Sequence, residues 1–87
     1  MILQVVVIRD SAAAVYGQPQ YVASIGSAIR GFGDEVNRSA ADNSFFRHPE
    51  DFILYHVGTY SDDFAKFTLF DEPVQLARAV DLVVKVN

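Results

Sequence analysis

The first apolar run of the chain is nearly unbroken. Leu3, Val5, Val6, Val7 and Ile8 are interrupted only by Gln4. A run without alternation reads as a strand buried on both faces, and it predicts an interior strand over Ile2 to Arg9. Asp10-Ser11 supplies turn chemistry at its end. From Ala12 to Tyr21 the pattern breaks up. Gly17 and Pro19 interrupt any helix that the alanines would favour, so the segment reads as a loop anchored by Tyr16 and Tyr21. Ser24 is then a good helix N-cap. Ile25, Ala28, Ile29, Phe32 and Val36 recur at helical spacing, which predicts a helix from Ile25 to Asn37. Gly26, Gly31 and Gly33 each weaken it by roughly 0.5–1 kcal/mol. Three glycines in so short a helix imply close packing against a sheet or another backbone, and Asn37 suits a left-handed C-cap.

The stretch around which the rest is organised begins at His48-Pro49-Glu50-Asp51. Pro49 fixes its own φ and biases His48 away from the helical region. The residues from Phe52 to Tyr60 are aromatic, β-branched or otherwise apolar at both parities, which predicts a central strand. Before it, Arg38 to Arg47 is a polar connection in which Phe45-Phe46 reads as a tether to the core. After it, Ser61-Asp62-Asp63 is a turn, and Phe64 to Phe70 returns as the second arm of a hairpin. Phe67 and Leu69 take one face with Ala65; Lys66 and Thr68 take the other. Asp71, Glu72 and Pro73 resemble the first turn of a helix. Leu76, Ala79, Val80 and Val83 would form its stripe, with the helix ending near Leu82. The alternative is a last strand over Leu82 to Val86. The expected fold is α+β, a small sheet of three to four strands with two helices in the order β-α-β-β-α(-β). Its first and central strands are expected to lie parallel, because a helix joins them.

Eighty-seven residues make one domain, spanning 1–87. At 51% apolar and 21% charged the chain is globular rather than disordered. It has no cysteine, which removes disulfides and thiolate metal sites. No apolar run reaches the roughly 20 residues of a membrane span. Met1-Ile2-Leu3-Gln4 lacks the basic start of a signal peptide, so no membrane association is expected. Seven basic and eleven acidic side chains give a net charge of −4, which disfavours strong non-specific binding to phosphate backbones.

The residue types for enzyme chemistry do not fall into working arrangements. Gly31-Phe32-Gly33 neither follows a strand nor completes a dinucleotide fingerprint. There is no phosphate-binding loop, no cysteine nucleophile and no Ser-His-Asp spacing of a known kind. The chain is not expected to be an enzyme or to carry a cofactor. His48, Glu50, Asp51 and His56 are the types that ligate metals, but His56 reads as a satisfied core or interface histidine within a strand. Asp62, Asp63, Asp71 and Glu72 are explained by turns and caps, so no metal is expected. A second constellation combines cations and rings. Arg9, Arg30, Arg38, Arg47 and Lys66 are the cations outside the C-terminal segment, and Tyr16, Tyr55, Tyr60, Phe45 and Phe46 offer stacking surfaces. Single-stranded nucleic acid requires that combination, a basic groove with aromatic platforms.

Several segments carry a family resemblance. They are Arg9-Asp10, the loop from Tyr16-Gly17 through Pro19 to Tyr21, and Ala28-Ile29-Arg30-Gly31-Phe32 continuing to Asp34-Glu35-Val36-Asn37. To these add Arg47-His48-Pro49-Glu50-Asp51-Phe52 continuing through Leu54-Tyr55 and Val57-Gly58 to Tyr60, and the ending from Glu72-Pro73-Val74 to Asp81-Leu82. Together the chain resembles the small nonstructural protein of gokushoviruses, the Microviridae phages with single-stranded circular DNA. The resemblance implies a nonstructural accessory protein of viral single-stranded DNA synthesis or packaging, working in the host cell cytoplasm. Its partners would be single-stranded DNA or the phage replication or packaging proteins. Arg9, Arg30, Arg38, Arg47, Lys66, Tyr55 and Tyr60 are the candidate nucleic-acid contacts. The competing reading is a self-associating protein–protein adaptor that touches no nucleic acid. Strand parity puts Tyr55 and Tyr60 on opposite faces of the central strand. One face must then be covered by the second helix or by another chain, and a homo-oligomer, most simply a dimer through the Phe52 to Phe70 hairpin, is expected.

Overall fold

A computed structural model describes residues 1–85. β1 (Ile2–Asp10) ends in a four-residue hairpin loop and turns back as β2 (Val15–Tyr16). Asp10 makes that loop by accepting the Ala12 and Ala13 N–H groups on Oδ1, at 3.1 and 3.2 Å. β3 (Gln20–Val22) then pairs antiparallel with the other end of β1. The expected loop from Ala12 to Tyr21 is therefore two short strands laid along one edge of β1. Gly17 permits the tight passage between them. Its N–H donates to the Ile8 carbonyl at 2.8 Å, and an added Cβ would lie 3.3 Å from that oxygen.

α1 (Ile25–Val36) forms as its periodicity predicts. Ser24 caps it by accepting the Ser27 N–H on its hydroxyl at 3.1 Å, and Ala28, Phe32 and Val36 are buried. The expected tight packing of its glycines is not found. A Cβ on Gly26 or Gly31 would meet nothing within 4 Å, and on Gly33 only Leu82 at 3.8 Å. Asn37 ends the helix, but at φ −95° and ψ 0° rather than in the left-handed region. Its side chain explains its presence: Nδ2 donates to the Gly33 and Leu82 carbonyls, and Oδ1 accepts the Val84 N–H. One asparagine thus ties the end of α1 to the C-terminal segment.

α2 (Ser44–Arg47) and a single 3-10 turn (Pro49–Asp51) carry the chain to β4 (Phe52–Ser61). Asn43, buried, caps α2 through Oδ1 and donates from Nδ2 to the Glu35 and Arg38 carbonyls at 2.8 and 2.9 Å. Of the two phenylalanines read as a tether, Phe45 packs against the core and Phe46 stays exposed. β4 begins beside the end of β1, where the Ser11 N–H donates to the Asp51 carbonyl at 2.8 Å. The two strands accordingly run antiparallel, Asp10 facing Phe52 and Ile2 facing Ser61. The expected parallel pairing fails because the segment between them ends at the same end of the sheet from which β1 left.

β4 is central, as expected, with β1 on one side and β5 (Lys66–Arg78) on the other. The hairpin between β4 and β5 also forms as expected, over a four-residue loop that ends on Ala65 at φ 53°. The predicted helix from Asp71 does not form. Val74, Gln75, Ala77 and Arg78 pair with β4, and only α3 (Ala79–Leu82) is helical. The misleading stripe has a physical origin. Leu76 is the extra residue where the register of β5 shifts, and it packs against the core together with Leu82 while Ala79 is fully buried. The final-strand alternative is not seen over 83–85, and Val86 lies outside the described residues.

All the helices serve one face of the sheet. Val6, Phe52 and Leu54 from the strands meet Ala28, Phe32 and Val36 of α1 and Ala79 of α3 in a single core. Among the described residues the other face has no helix over it. No helix among the described residues is long and apolar enough to cross a membrane, which says nothing of a β-barrel.

Candidate functional site

The helix-free face is defined by the register of β1. Residues directly opposite in adjacent strands project to the same side. Val7 faces Tyr55, Leu3 faces Tyr60, Arg9 faces Tyr16 and Val5 faces Tyr21. All four partners on β1 are odd-numbered and share one side, so all four tyrosines of the chain do too. Phe67 joins them opposite Tyr60, and Leu69 opposite Gly58.

This overturns the expectation that Tyr55 and Tyr60 lie on opposite faces. Between them β4 carries a bulge: His56 faces Val6 and Gly58 faces Val5, leaving Val57 without a partner on β1. One extra residue reverses the parity of everything after it. Gly58 holds the bulge in place. Its φ is 157°, and a Cβ would collide with the Thr68 carbonyl oxygen and lie 2.9 Å from the Leu69 Cα.

The rings form two groups. Tyr16 and Tyr55 meet edge to face at 5.6 Å, and the Arg9 guanidinium lies over Tyr16, 5.0 Å from the ring centre. Tyr21 meets Tyr60 at 5.6 Å, and Phe67 lies 4.8 Å from Tyr60. Val5 and Val7 are buried beneath them with no helix to cover them. Beside the second group runs an apolar groove of about 440 Å³, lined by Val5, Tyr21, Val57, Phe67, Leu69 and Phe70.

Of the seven candidate nucleic-acid contacts, Arg9, Tyr55 and Tyr60 come together on this face. Arg30 projects from α1, in the helix layer. Arg38 follows α1 and is held by Glu35 at 2.7 Å; the hydrogen bond between them lowers the Glu35 pKa and raises that of Arg38. Arg47 ends α2 and donates to the Ala41 carbonyl at 3.3 Å. Lys66 alternates with Phe67 and so points away from the tyrosines. Tyr21 and Phe67 were not among the stacking candidates. The signal for Tyr21 was the pair of tyrosines flanking Gly17 and Pro19, which becomes informative once both flanks are strands.

The metal-type residues divide. His48, Glu50 and Asp51 gather around the 3-10 turn with ligand atoms within 4.8 Å of one another, on an exposed surface. His56 lies elsewhere, edge-on to Phe70 at 4.7 Å; its buried Nε2 has no hydrogen-bond partner among the described residues, so the histidine is not the satisfied one expected. Asp62 and Asp63 each hold the Met1 ammonium at 2.8 Å, which accounts for that acidic pair. Asp71 and Glu72 lie within β5 and cap no helix.

No curated protein and no solved structure matches the chain. Residues 3–82 match the sequence model of the Phage ORF5 protein family, a span that takes in the described strands but for Ile2 at the start of β1, the described helices and both groups of tyrosines, and the chain is a phage protein belonging to that family.

Proposed function

We propose that this phage protein is a nonstructural accessory factor, of the gokushovirus kind its sequence resembles, that binds single-stranded DNA during viral DNA synthesis or packaging. The observation that supports this most is the segregation of all four tyrosines onto the helix-free face, with Arg9 among them. Aromatic side chains on an open sheet surface can stack bases, each stack contributing about 1–3 kcal/mol whatever the base. Arg9 adds a cation next to the Tyr16 ring, within reach of a backbone phosphate beside a stacked base. Register puts one more cation on this side, Arg78, which faces Ile53 as Arg9 does. With so few cations there and a net charge of −4, stacking rather than charge would carry the affinity.

The test is titration of an oligothymidylate at low and moderate salt, with Tyr16→Ala, Tyr55→Ala and Arg9→Ala alongside the parent. The expected salt dependence is shallow, a slope of about −0.7 in log–log form for each phosphate contact. Both tyrosine variants should bind much more weakly, while Arg9→Ala should flatten the salt dependence. Absence of binding at low salt, or binding that both tyrosine variants retain, contradicts direct contact with DNA through this face.

A further inference from the structure

The same face has a second end of different character. There β5 carries a series of exposed apolar side chains: Phe64 is 82% exposed at the hairpin tip, Leu69 is 64% exposed, and Phe67 and Phe70, which line the groove, are also exposed. We propose that β5 and the groove beside it form a two-fold interface with a second copy of this chain; it covers the Tyr21, Tyr60 and Phe67 group and leaves Tyr16, Tyr55 and Arg9 to the DNA reading.

Three observations select that occupant. The first is area. The accessible surface is 5795 Å², roughly 700 Å² more than a compact monomer of this mass exposes. The excess approaches the roughly 800 Å² that each partner contributes to a stable interface of standard size. The shape agrees. The radius of gyration is 13.7 Å, against about 12 Å for a compact chain of this length. The protein measures 47 × 24 × 20 Å.

The second is charge. None of the residues that line the groove is charged. A nucleic acid or a charged peptide finds no counter-charge in it. A second copy brings a surface of the same neutrality, which lets two chains of net charge −4 approach there. The third is the form of the edge. β5 is an edge strand of 13 residues, which invites extension of the ladder. Pro73 lacks an N–H, and Asp71, Glu72 and Pro73 fall in the stretch where β5 skips from pairing with Gly58 to pairing with His56. Proline, charge and irregularity in mid-edge oppose strand-to-strand addition. The contact is therefore made by side chains, with Phe67 and Leu69 of one copy packed against the same residues of the other. A two-fold arrangement closes on itself and leaves no free end for further growth.

Sedimentation of the parent, Leu69→Glu and Phe64→Ser at micromolar concentration tests this, with Arg30→Glu on α1 as a control. Both residues are exposed in the monomer, so both variants should keep the parent's far-ultraviolet circular dichroism. The parent and Arg30→Glu should sediment as dimers, and Leu69→Glu as a monomer, with Phe64→Ser weakened. Should Leu69→Glu fail to fold, Phe64→Ser on the solvent-exposed tip decides alone. A monomeric parent, or substituted chains that remain dimeric, overturns the interface. A monomeric parent that still binds oligothymidylate overturns the interface and leaves the DNA reading standing; a dimer that binds none does the reverse.

Discussion

The two faces of the sheet use different aromatic residues. On the helix-covered face Phe32, Phe45 and Phe52 stack edge to face, Phe45 lying 4.6 Å from Phe52 and 5.8 Å from Phe32, around Leu54 and Val6. On the helix-free face the rings are the four tyrosines, with Phe67. Phenylalanine suits a dry core because it brings no polar atom that needs a partner. Tyrosine suits a surface that is apolar in its body and wet at its tip. The contrast teaches that the helix-free face is not an unfinished core. It has its own buried floor in Val5 and Val7, its own ring contacts, and hydroxyls that remain compatible with water.

The largest expected effect breaks the covered face. Leu54 is 2% exposed at the centre of the core. Leu54→Ala should lose about 2–5 kcal/mol, which is much of a small domain's total stability. Chemical denaturation reads the loss as a collapse of the unfolding midpoint. On the open face Tyr55→Ala should cost far less in the same measurement, about 1–2 kcal/mol from one ring pair and partial burial. Equal losses from the two substitutions would erase the distinction between core and surface.

An intermediate effect concerns the connection that carries the chain beneath the helix layer. Asn43→Ala removes a cap and the side-chain donor to the Glu35 and Arg38 carbonyls, of which Glu35 keeps the Arg38 N–H at 3.2 Å. A loss of roughly 1–3 kcal/mol is expected, seen as a lower melting temperature with oligothymidylate binding by the remaining folded protein unchanged. A smaller effect of opposite sign is expected at Gly31, where a Cβ meets open space. Gly31→Ala should stabilise by about 0.5–1 kcal/mol, again without touching the tyrosine face.

The smallest effect depends on pH at the far end of the hairpin. Hydrogen bonds donated by the Met1 ammonium to Asp62 and then Asp63 raise its pKa above 8.0. A group whose pKa is raised on folding contributes below its unfolded value and loses that contribution as pH rises through the folded value. A slight fall in melting temperature above pH 8 is expected, reduced in Asp62→Asn.

Much of this arrangement is legible from local rules. The unbroken apolar run of β1, the spacing of Ile25 to Val36, the Ser24 cap and the β4–β5 hairpin each follow from patterns that tertiary structure had no reason to override. What escaped was decided by register. Asp71-Glu72-Pro73 has the chemistry of a helix start, yet the pairing of Val74 to Arg78 with β4 holds that stretch extended. Strand parity separated Tyr55 from Tyr60, and one bulge at Val57 reunited them. A glycine inside a strand is the sequence mark of such a bulge, so Gly58 carried the clue, but which strand pairs with which had to be known before it could be used. The candidate site was half visible for the same reason. Residue types named Arg9, Tyr55 and Tyr60, while only the sheet shows that Arg30, Arg38 and Arg47 belong to the helix layer.

The chain itself provides the most direct measurement. It has no tryptophan, and all four tyrosines lie on the helix-free face, so intrinsic tyrosine fluorescence reports on that face alone. Titration with oligothymidylate, corrected for the absorbance of the DNA, should quench the emission saturably at low salt, and Tyr55→Ala should lose most of the quenching. Emission that stays constant through the titration, in a protein shown by circular dichroism to be folded, would contradict the assignment of the tyrosine face as the DNA-binding surface.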